Sequence, residues 1–244
     1  MRFGLLAVLS ASSLALATPA LAQSAPRSLS PSEVQQASQQ HPELVQQFGG
    51  EVTGPLADYV AGVGRRIAPQ TNIANGYRVT LLNSPVRNAF AVPGGYVYVT
   101  RELLALMNSE DELAFVLGHE MGHVAARHGQ KRQQRSTITG IGAAIAQVLT
   151  GSNAVGQIAG QVGQGLLLGY SRSQENESDS LGVRYITAAG FDPYAAPRML
   201  SAMGAAESLD AQVAGRQQSQ VPSWSRTHPL SADRGWVQIG RAHV

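Results

Sequence analysis

Apolar residues recur at helical spacing in two segments near the start of the chain. Residues 32–48 and 55–67 both place apolar side chains three or four positions apart, and Gly49-Gly50 and Pro69 follow these segments as helix breakers. We therefore predict two amphipathic helices in this part of the chain.

The pattern changes from helical spacing to alternation between residues 77 and 100. Residues 77–82, 89–92 and 96–100 are rich in β-branched and aromatic side chains, and Pro93-Gly94-Gly95 separates the last two segments. These three segments predict a small, three-stranded sheet.

Two helix starts follow the last predicted strand. Thr100 is a suitable N-cap for a short helix through Met107, and Ser109-Glu110-Asp111-Glu112 has the spacing of a capping box. We expect the second helix to run to His128, with Gly129 as its stop.

Residues 136–171 contain no charged side chain and eight glycines. Buried, closely packed helices explain this composition best, because Gln, Asn, Gly and Ser interrupt it too often for a membrane span. Peripheral membrane contact is the competing explanation, since Lys131, Arg132 and Arg135 precede the segment and suit anionic headgroups.

Further helices are predicted in the last third of the chain, and with them the fold class can be stated. Residues 175–189 have helical character and are followed by Gly190, and residues 222–244 suggest a turn and a last helix. The chain is therefore predicted to be a mainly helical α+β protein.

Composition favours one globular domain over a disordered or nucleic-acid-binding chain. Of the 244 residues, 43% are hydrophobic and 14% are charged. The formal net charge is +2 and the basic residues are scattered, so we expect no nucleic-acid partner.

The N-terminus has the pattern of a secretory signal peptide. Arg2 precedes an apolar run over residues 3–16, and Pro19-Ala20-Leu21-Ala22 ends the run with small residues. The run is shorter than the roughly 20 apolar residues that span a bilayer, which disfavours an uncleaved anchor. We predict cleavage before Gln23.

This cleavage sets the predicted organisation of the chain. Residues 1–22 form the signal peptide, 23–30 a flexible start and 31–244 the folded domain. The chain has no cysteine, hence no lipid-attachment site, so we predict a soluble periplasmic protein rather than a lipoprotein.

The segment His119-Glu120-Met121-Gly122-His123 carries the candidate chemistry. Histidines four residues apart lie on one face of a helix, so both imidazoles can reach a single zinc ion. A glutamate next to the first histidine is placed to act as general base for a metal-activated water.

A third ligand is required, and the helix over residues 175–189 offers carboxylates. Glu175 and Asp179 share a face, whereas Glu177 is turned about 200° away, so we prefer Glu175 as ligand and Asp179 as hydrogen-bond partner of a ligating histidine. A solvated acidic helix start is the competing interpretation. His128, nine residues after His119, is expected to point away from the site.

Four separated segments together resemble metallopeptidase family forty-eight. They are Asn88-Ala89-Phe90-Ala91, Pro93-Gly94-Gly95, His119 to His123, and Ser171-Arg172-Ser173-Gln174-Glu175 to Asp179. The resemblance covers roughly residue 30 to the end. It implies a zincin-like (gluzincin) fold of the α+β class, one zinc ion per chain, and Glu175 as third ligand.

The resemblance also implies two further parts of the site. The strand with Asn88, Ala89, Phe90 and Ala91 would border the cleft and pair with an extended substrate. His228, in Thr227-His228-Pro229, looks like a downstream histidine of the family that steadies the oxyanion; an exposed turn histidine is the alternative. Membrane spans and helical repeats known in parts of the family are not recognisable, which argues against intramembrane substrates.

The predicted function is a zinc-dependent endopeptidase that hydrolyses peptide bonds of misfolded cell-envelope proteins, with Glu120 as general base. A periplasmic chaperone or outer-membrane assembly factor with dispensable proteolysis is the alternative. A membrane-surface adaptor that uses residues 136–171 ranks last.

Overall fold

A computed structural model of the chain describes residues 27–74, 76–132 and 169–213, together with Trp224 and His228. The helices are α1 (Pro31–Gln47), α2 (Pro55–Ile67), α3 (Arg101–Leu106), α4 (Glu110–Ala125), α5 (Arg172–Ala188) and α6 (Ala195–Val213); the strands are β1 (Arg78–Leu82), β2 (Ala89–Val92) and β3 (Tyr96–Thr100). The predicted signal peptide, most of the uncharged segment 136–171 and the predicted last helix lie outside the described residues.

The three predicted strands form one mixed sheet in the order β1-β3-β2. β3 pairs in parallel with β1 and antiparallel with β2. Pro93-Gly94-Gly95 makes the turn between β2 and β3, with φ values of 99° at Gly94 and 83° at Gly95. A side chain at Gly94 would also collide with the Glu33 carbonyl of α1, so glycine is required there twice over. The prediction of a small sheet in a mainly helical α+β domain is confirmed.

The sheet is buried on both faces, which explains why all four residues of β2 are buried. One face packs with α1 through an apolar cluster that includes Leu44, Phe90 and Tyr98. The alternate residues of the strands, such as Ala91 and Val97, face the larger core around α4. α4 therefore lies at the centre of the molecule, in contact with α2, the sheet, α5 and α6.

The start of α4 differs in one contact from the predicted capping box. The Ser109 hydroxyl accepts a hydrogen bond from the Glu112 backbone N–H at 3.2 Å, as expected. The Glu112 carboxylate, however, accepts from the Asn108 N–H at 2.8 Å rather than from Ser109. The helix start is still confirmed, because the Ser109 cap and the acidic first turn satisfy its free N–H groups.

The predicted end of this helix at His128 is wrong. α4 ends at Ala125, because Arg127 adopts a left-handed conformation with φ 57° and turns the chain. Helical conformation resumes at His128, so Gly129 is not the stop.

α5 begins at Arg172, three residues before the predicted start. Ser171 and Gln174 form a reciprocal capping box: the Ser171 hydroxyl accepts from the Gln174 N–H, and the Gln174 side chain accepts from the Ser171 N–H. The spacing of Ser171 and Gln174 was the available sequence signal for this start.

α5 approaches α4 closely because glycines line their contact. A Cβ at Gly182 would lie 2.9 Å from the His119 backbone nitrogen, and a Cβ at Gly122 would lie 3.1 Å from the Ser178 carbonyl oxygen. This approach brings the carboxylates of α5 to the histidines of α4. Within the described ranges, no helix combines the length and the apolarity that crossing a bilayer requires.

Candidate metal centre and active site

Four buried side chains converge at the contact between α4 and α5. His119 and His123 come from α4, Glu175 from α5, and His228 from the segment beyond α6, and one potential ligand atom of each lies within 4.8 Å of all the others. The four residues are at most 1% exposed. The structure thus brings together all three ligands predicted from the sequence and adds His228.

The two helix histidines point their Nε2 atoms at each other, at a separation of 2.9 Å. The Glu175 carboxylate lies 3.4 Å from His123 Nε2 and 3.7 Å from His119 Nε2. His228 Nδ1 lies 3.0 Å from Glu175 Oε1 and 3.3 Å from His119 Nε2. Donor atoms of this type and spacing, removed from water, fit a zinc ion, since catalytic zinc sites combine two histidines with a carboxylate.

Asp179 lies behind the first histidine, as the shared face with Glu175 suggested. Its Oδ1 is 2.8 Å from His119 Nδ1, and both residues are fully buried. A carboxylate in this position accepts a hydrogen bond from the Nδ1–H group, so the proton stays on Nδ1 and the Nε2 lone pair is directed at the cluster. Asp179 can therefore hold His119 in the tautomer and the orientation that metal binding requires.

Burial also keeps the second histidine neutral. Burial lowers the pKa of His123 well below its ordinary value; the hydrogen bond to Glu175 opposes this shift, and neighbouring His119 and His228 add to it. A neutral imidazole is the form that donates a lone pair to a metal ion.

Glu120 lies at the edge of the ligand cluster rather than within it. Its side chain is fully buried, and its Oε1 is 3.5 Å from His228 Nε2. A carboxylate beside the metal ligands, but outside the group of four, is placed to exchange a proton with water or substrate. His228 is buried, so the alternative of an exposed turn histidine is excluded.

Two aromatic rings hold the imidazoles in place, and sequence reasoning missed both. Tyr170 stacks on His123 at a centroid distance of 3.8 Å, and Trp224 stacks on His228 at 4.0 Å. Tyr170 meets His123 only after a chain reversal that no local pattern marks, whereas Trp224 precedes His228 by four residues, and this spacing was the available sequence signal.

His128 does not point away from the site. Because α4 ends before it, its Nδ1 lies 2.9 Å from His123 Nδ1, and its Nε2 lies 3.1 Å from Glu177 Oε2. The expectation that His128 points away from the site assumed an uninterrupted helix and is therefore wrong. His128 is nevertheless not one of the four grouped residues that could hold a metal ion.

The predicted substrate-binding residues lie along β2 and just before it, and β2 is one of the two edge strands of the described sheet. Asn88 is held by Thr100, whose backbone N–H donates to the Asn88 carbonyl at 2.9 Å. Ala89 and Ala91 face the core around α4, whereas Phe90 faces α1. The Trp224 backbone N–H donates to the Arg87 carbonyl at 2.9 Å, so Trp224 lies beside the start of this strand.

Comparison with known proteins places this geometry in a family. The sequence model described as Peptidase family M48 matches residues 56–235. The chain is 29% identical over 211 residues to the mitochondrial metalloendopeptidase OMA1 of Schizosaccharomyces pombe, which covers 83% of this chain and 58% of the relative. It is 32% identical over 191 residues to the beta-barrel assembly-enhancing protease of Escherichia coli K12, which covers 73% of this chain and 37% of the relative.

The chain therefore spans little more than half of the first of these relatives and about a third of the second. The family match nevertheless includes both helices of the metal centre and His228. The chain belongs to peptidase family M48.

Proposed function

We propose that this chain is a zinc-dependent endopeptidase that uses Glu120 as general base. The observation that carries the proposal is the buried convergence of His119, His123 and Glu175, with a second, non-ligating carboxylate beside them. Two histidines and a glutamate around an ion, with a further glutamate next to the first histidine, suit metal-assisted peptide hydrolysis.

The roles of the side chains follow from their positions. A zinc ion held by His119, His123 and Glu175 supplies Lewis acidity, which polarises a carbonyl and lowers the pKa of water. Glu120 accepts the proton of the attacking water and passes it to the amine of the leaving peptide. Asp179 keeps His119 oriented throughout.

We propose that His228 donates a hydrogen bond to the oxyanion that forms on the substrate carbonyl. In support, its Nε2 faces Glu120 at 3.5 Å, and stacking on Trp224 fixes the ring. Its Nδ1 also lies among the ligand atoms, so direct metal ligation is the competing role.

The substrate is proposed to bind as an added strand along β2. This strand is one of the two edges of the described sheet, and it is in contact with α4, which carries His119 and His123. Backbone pairing at a sheet edge is independent of side-chain identity, which suits a protease for unfolded segments. With the predicted signal peptide at residues 1–22, we propose misfolded proteins of the cell envelope as substrates and the periplasm as the location.

The second candidate function is assembly of outer-membrane proteins with dispensable proteolysis. The observation in its favour is the 32% identity to a protein named a beta-barrel assembly-enhancing protease. In a deletion strain, Glu120→Gln separates the two functions: a variant that restores growth as well as the wild type supports assembly, and one that fails supports proteolysis.

The deciding experiment measures zinc content and casein cleavage of the chain from Gln23 onward, for wild type and three variants. The wild type should hold about one zinc ion and cleave casein. Glu120→Gln should keep zinc and lose cleavage, because only the base is removed. Glu175→Ala should lose both, because a ligand is removed.

His228→Ala distinguishes the two roles proposed for that residue. As an oxyanion donor, His228 can be removed without loss of zinc, and kcat should fall by about 10²–10³. Loss of zinc on the same substitution would assign His228 to the ligands instead. A wild type that binds no zinc would overturn the whole proposal.

A further inference from the structure

His128 occupies the place behind the second metal histidine that Asp179 occupies behind the first. The turn at Arg127, with φ 57°, ends α4 and brings the chain back so that His128 faces His123. The two Nδ1 atoms are 2.9 Å apart, and His128 is fully buried.

A carboxylate of α5 lies on the other side of the His128 ring. Glu177 Oε2 is 3.1 Å from His128 Nε2, and the Glu177 side chain is 53% exposed. The Ser178 hydroxyl lies 3.3 Å from His128 Nδ1. His128 is therefore held between α4 and α5, with a carboxylate at one ring nitrogen and a metal histidine at the other.

These contacts determine where the protons are. A carboxylate only accepts, so His128 Nε2 must donate to Glu177. Two N–H groups cannot face each other at hydrogen-bond distance, so of the facing Nδ1 atoms only one carries a proton. With its proton on Nε2, neutral His128 accepts at Nδ1 from the N–H of His123 Nδ1.

The consequence reaches the ligand cluster. A proton on His123 Nδ1 leaves its Nε2 unprotonated, and this Nε2 is the atom that faces His119 and Glu175. The opposite arrangement would place a proton on Nε2 and remove a metal ligand. The Ser178 hydroxyl is compatible with the first arrangement, because a hydroxyl can either donate or rotate away.

We propose that His128 and Glu177 are positioning residues that fix the tautomer and orientation of His123 for metal binding. This inference rests on the metal site of the proposed function. The Asp179 carboxylate of α5 contacts His119 Nδ1 directly. The Glu177 carboxylate of the same helix reaches His123 Nδ1 only through the His128 ring, which lies between them. Acceptors behind metal histidines change metal affinity by about 10–100-fold.

The test compares zinc affinity, by competition with a chelator, for wild type, His128→Leu, His128→Asn, Glu177→Ala and Glu177→Gln. We expect His128→Leu to bind zinc about 10–100-fold more weakly. His128→Asn should retain most of the affinity, because its amide oxygen replaces Nδ1 as acceptor. Glu177→Ala should weaken binding less than His128→Leu, and Glu177→Gln should retain it.

His41→Asn is the matched control, because His41 also bonds a side chain, the Tyr98 hydroxyl at 3.0 Å, but lies outside the metal centre. It should leave zinc affinity unchanged. The visible spectrum of the cobalt-loaded protein adds a direct readout of the ligand field, which should change in His128→Leu and not in His41→Asn.

The inference would be overturned if His128→Leu had the zinc affinity of the wild type and an unchanged cobalt spectrum. Equal weakening of zinc binding by His128→Asn and His128→Leu would also overturn it, because the effect would then come from packing and not from the lost acceptor. If His128→Leu does not fold, the two variants of the exposed residue Glu177 decide between the outcomes. Weaker zinc binding in Glu177→Ala than in Glu177→Gln supports the inference, and equal binding overturns it. Failure of the proposed function is separate, because the wild type would then bind no zinc.

Discussion

A single buried hydrogen bond at Nδ1 fixes the tautomer and the orientation of a histidine that faces the candidate metal site. His119 has a carboxylate at 2.8 Å from Nδ1, supplied by Asp179 one helical turn after Glu175. One helix thus provides both a proposed ligand and the acceptor that orients another proposed ligand. The spacing of four residues makes this double role possible, since residues i and i+4 share a helix face.

Removal of this carboxylate should weaken metal binding without removing a ligand. We expect Asp179→Ala to bind zinc about 10–100-fold more weakly than the wild type, measured by chelator competition. Asp58→Ala, in the exposed first turn of α2, is the control and should bind normally. Equal affinities for Asp179→Ala and the wild type would show that Asp179 does not orient His119.

At the scale of elements, the close contact of α4 and α5 sets the distance between histidines and carboxylates. Gly182 is the tightest point, with the His119 backbone nitrogen 2.9 Å and its Cα 3.1 Å from a hypothetical Cβ. A methyl group there must push the helices apart, because backbone atoms cannot rotate away.

Gly182→Ala should therefore lower both stability and zinc affinity. Overpacking costs about 1–3 kcal/mol, and the better helix propensity of alanine offsets about 1 kcal/mol of it, for a net loss of up to about 2 kcal/mol. Denaturant unfolding of the metal-free protein measures the first effect and chelator competition the second.

Gly62→Ala is the control for helix propensity alone. On α2, the nearest atom to a Cβ at this position is a guanidinium nitrogen of the flexible Arg65 at 3.6 Å. This variant should gain up to about 1 kcal/mol of stability and keep its zinc affinity. If Gly182→Ala is also stabilised, the two helices are not in the tight contact described.

At the scale of the whole molecule, the metal centre joins parts of the chain that are distant in sequence. α4, α5 and the segment with Trp224 and His228 contribute to it, and the same segment bonds to Arg87 before the edge strand. A ligand that requires all these parts in place binds the folded chain and not the unfolded one.

Zinc removal should therefore lower the midpoint of thermal unfolding. At a free zinc concentration 1,000 times the dissociation constant, binding adds about 4 kcal/mol of stability. For a domain of this size that corresponds to a shift of about 8–16 °C. Calorimetry with and without chelator measures the shift, and Glu175→Ala should show none. Identical midpoints for the wild type would contradict a zinc site that spans these elements.

Local patterns predicted much of this organisation. The alternation over residues 77–100 identified all three strands, and helical spacing identified α1 and α2 to within one residue. The shared face of Glu175 and Asp179 identified the two carboxylates that the structure places at the histidines. These features are readable because they depend on the direction of side chains within one element.

Other features depended on the tertiary structure alone. The left-handed residue Arg127 ends α4 and reverses the direction of His128, and no periodicity predicts a single change of φ. Tyr170 meets His123, and Trp224 meets His119, only after the chain has folded back. The sequence by itself thus determined most of the elements, although not α6, and the helix faces that carry the proposed ligands. Only the tertiary structure decided that Tyr170 and His128 contact His123, because contacts between distant segments follow from packing and not from spacing along the chain.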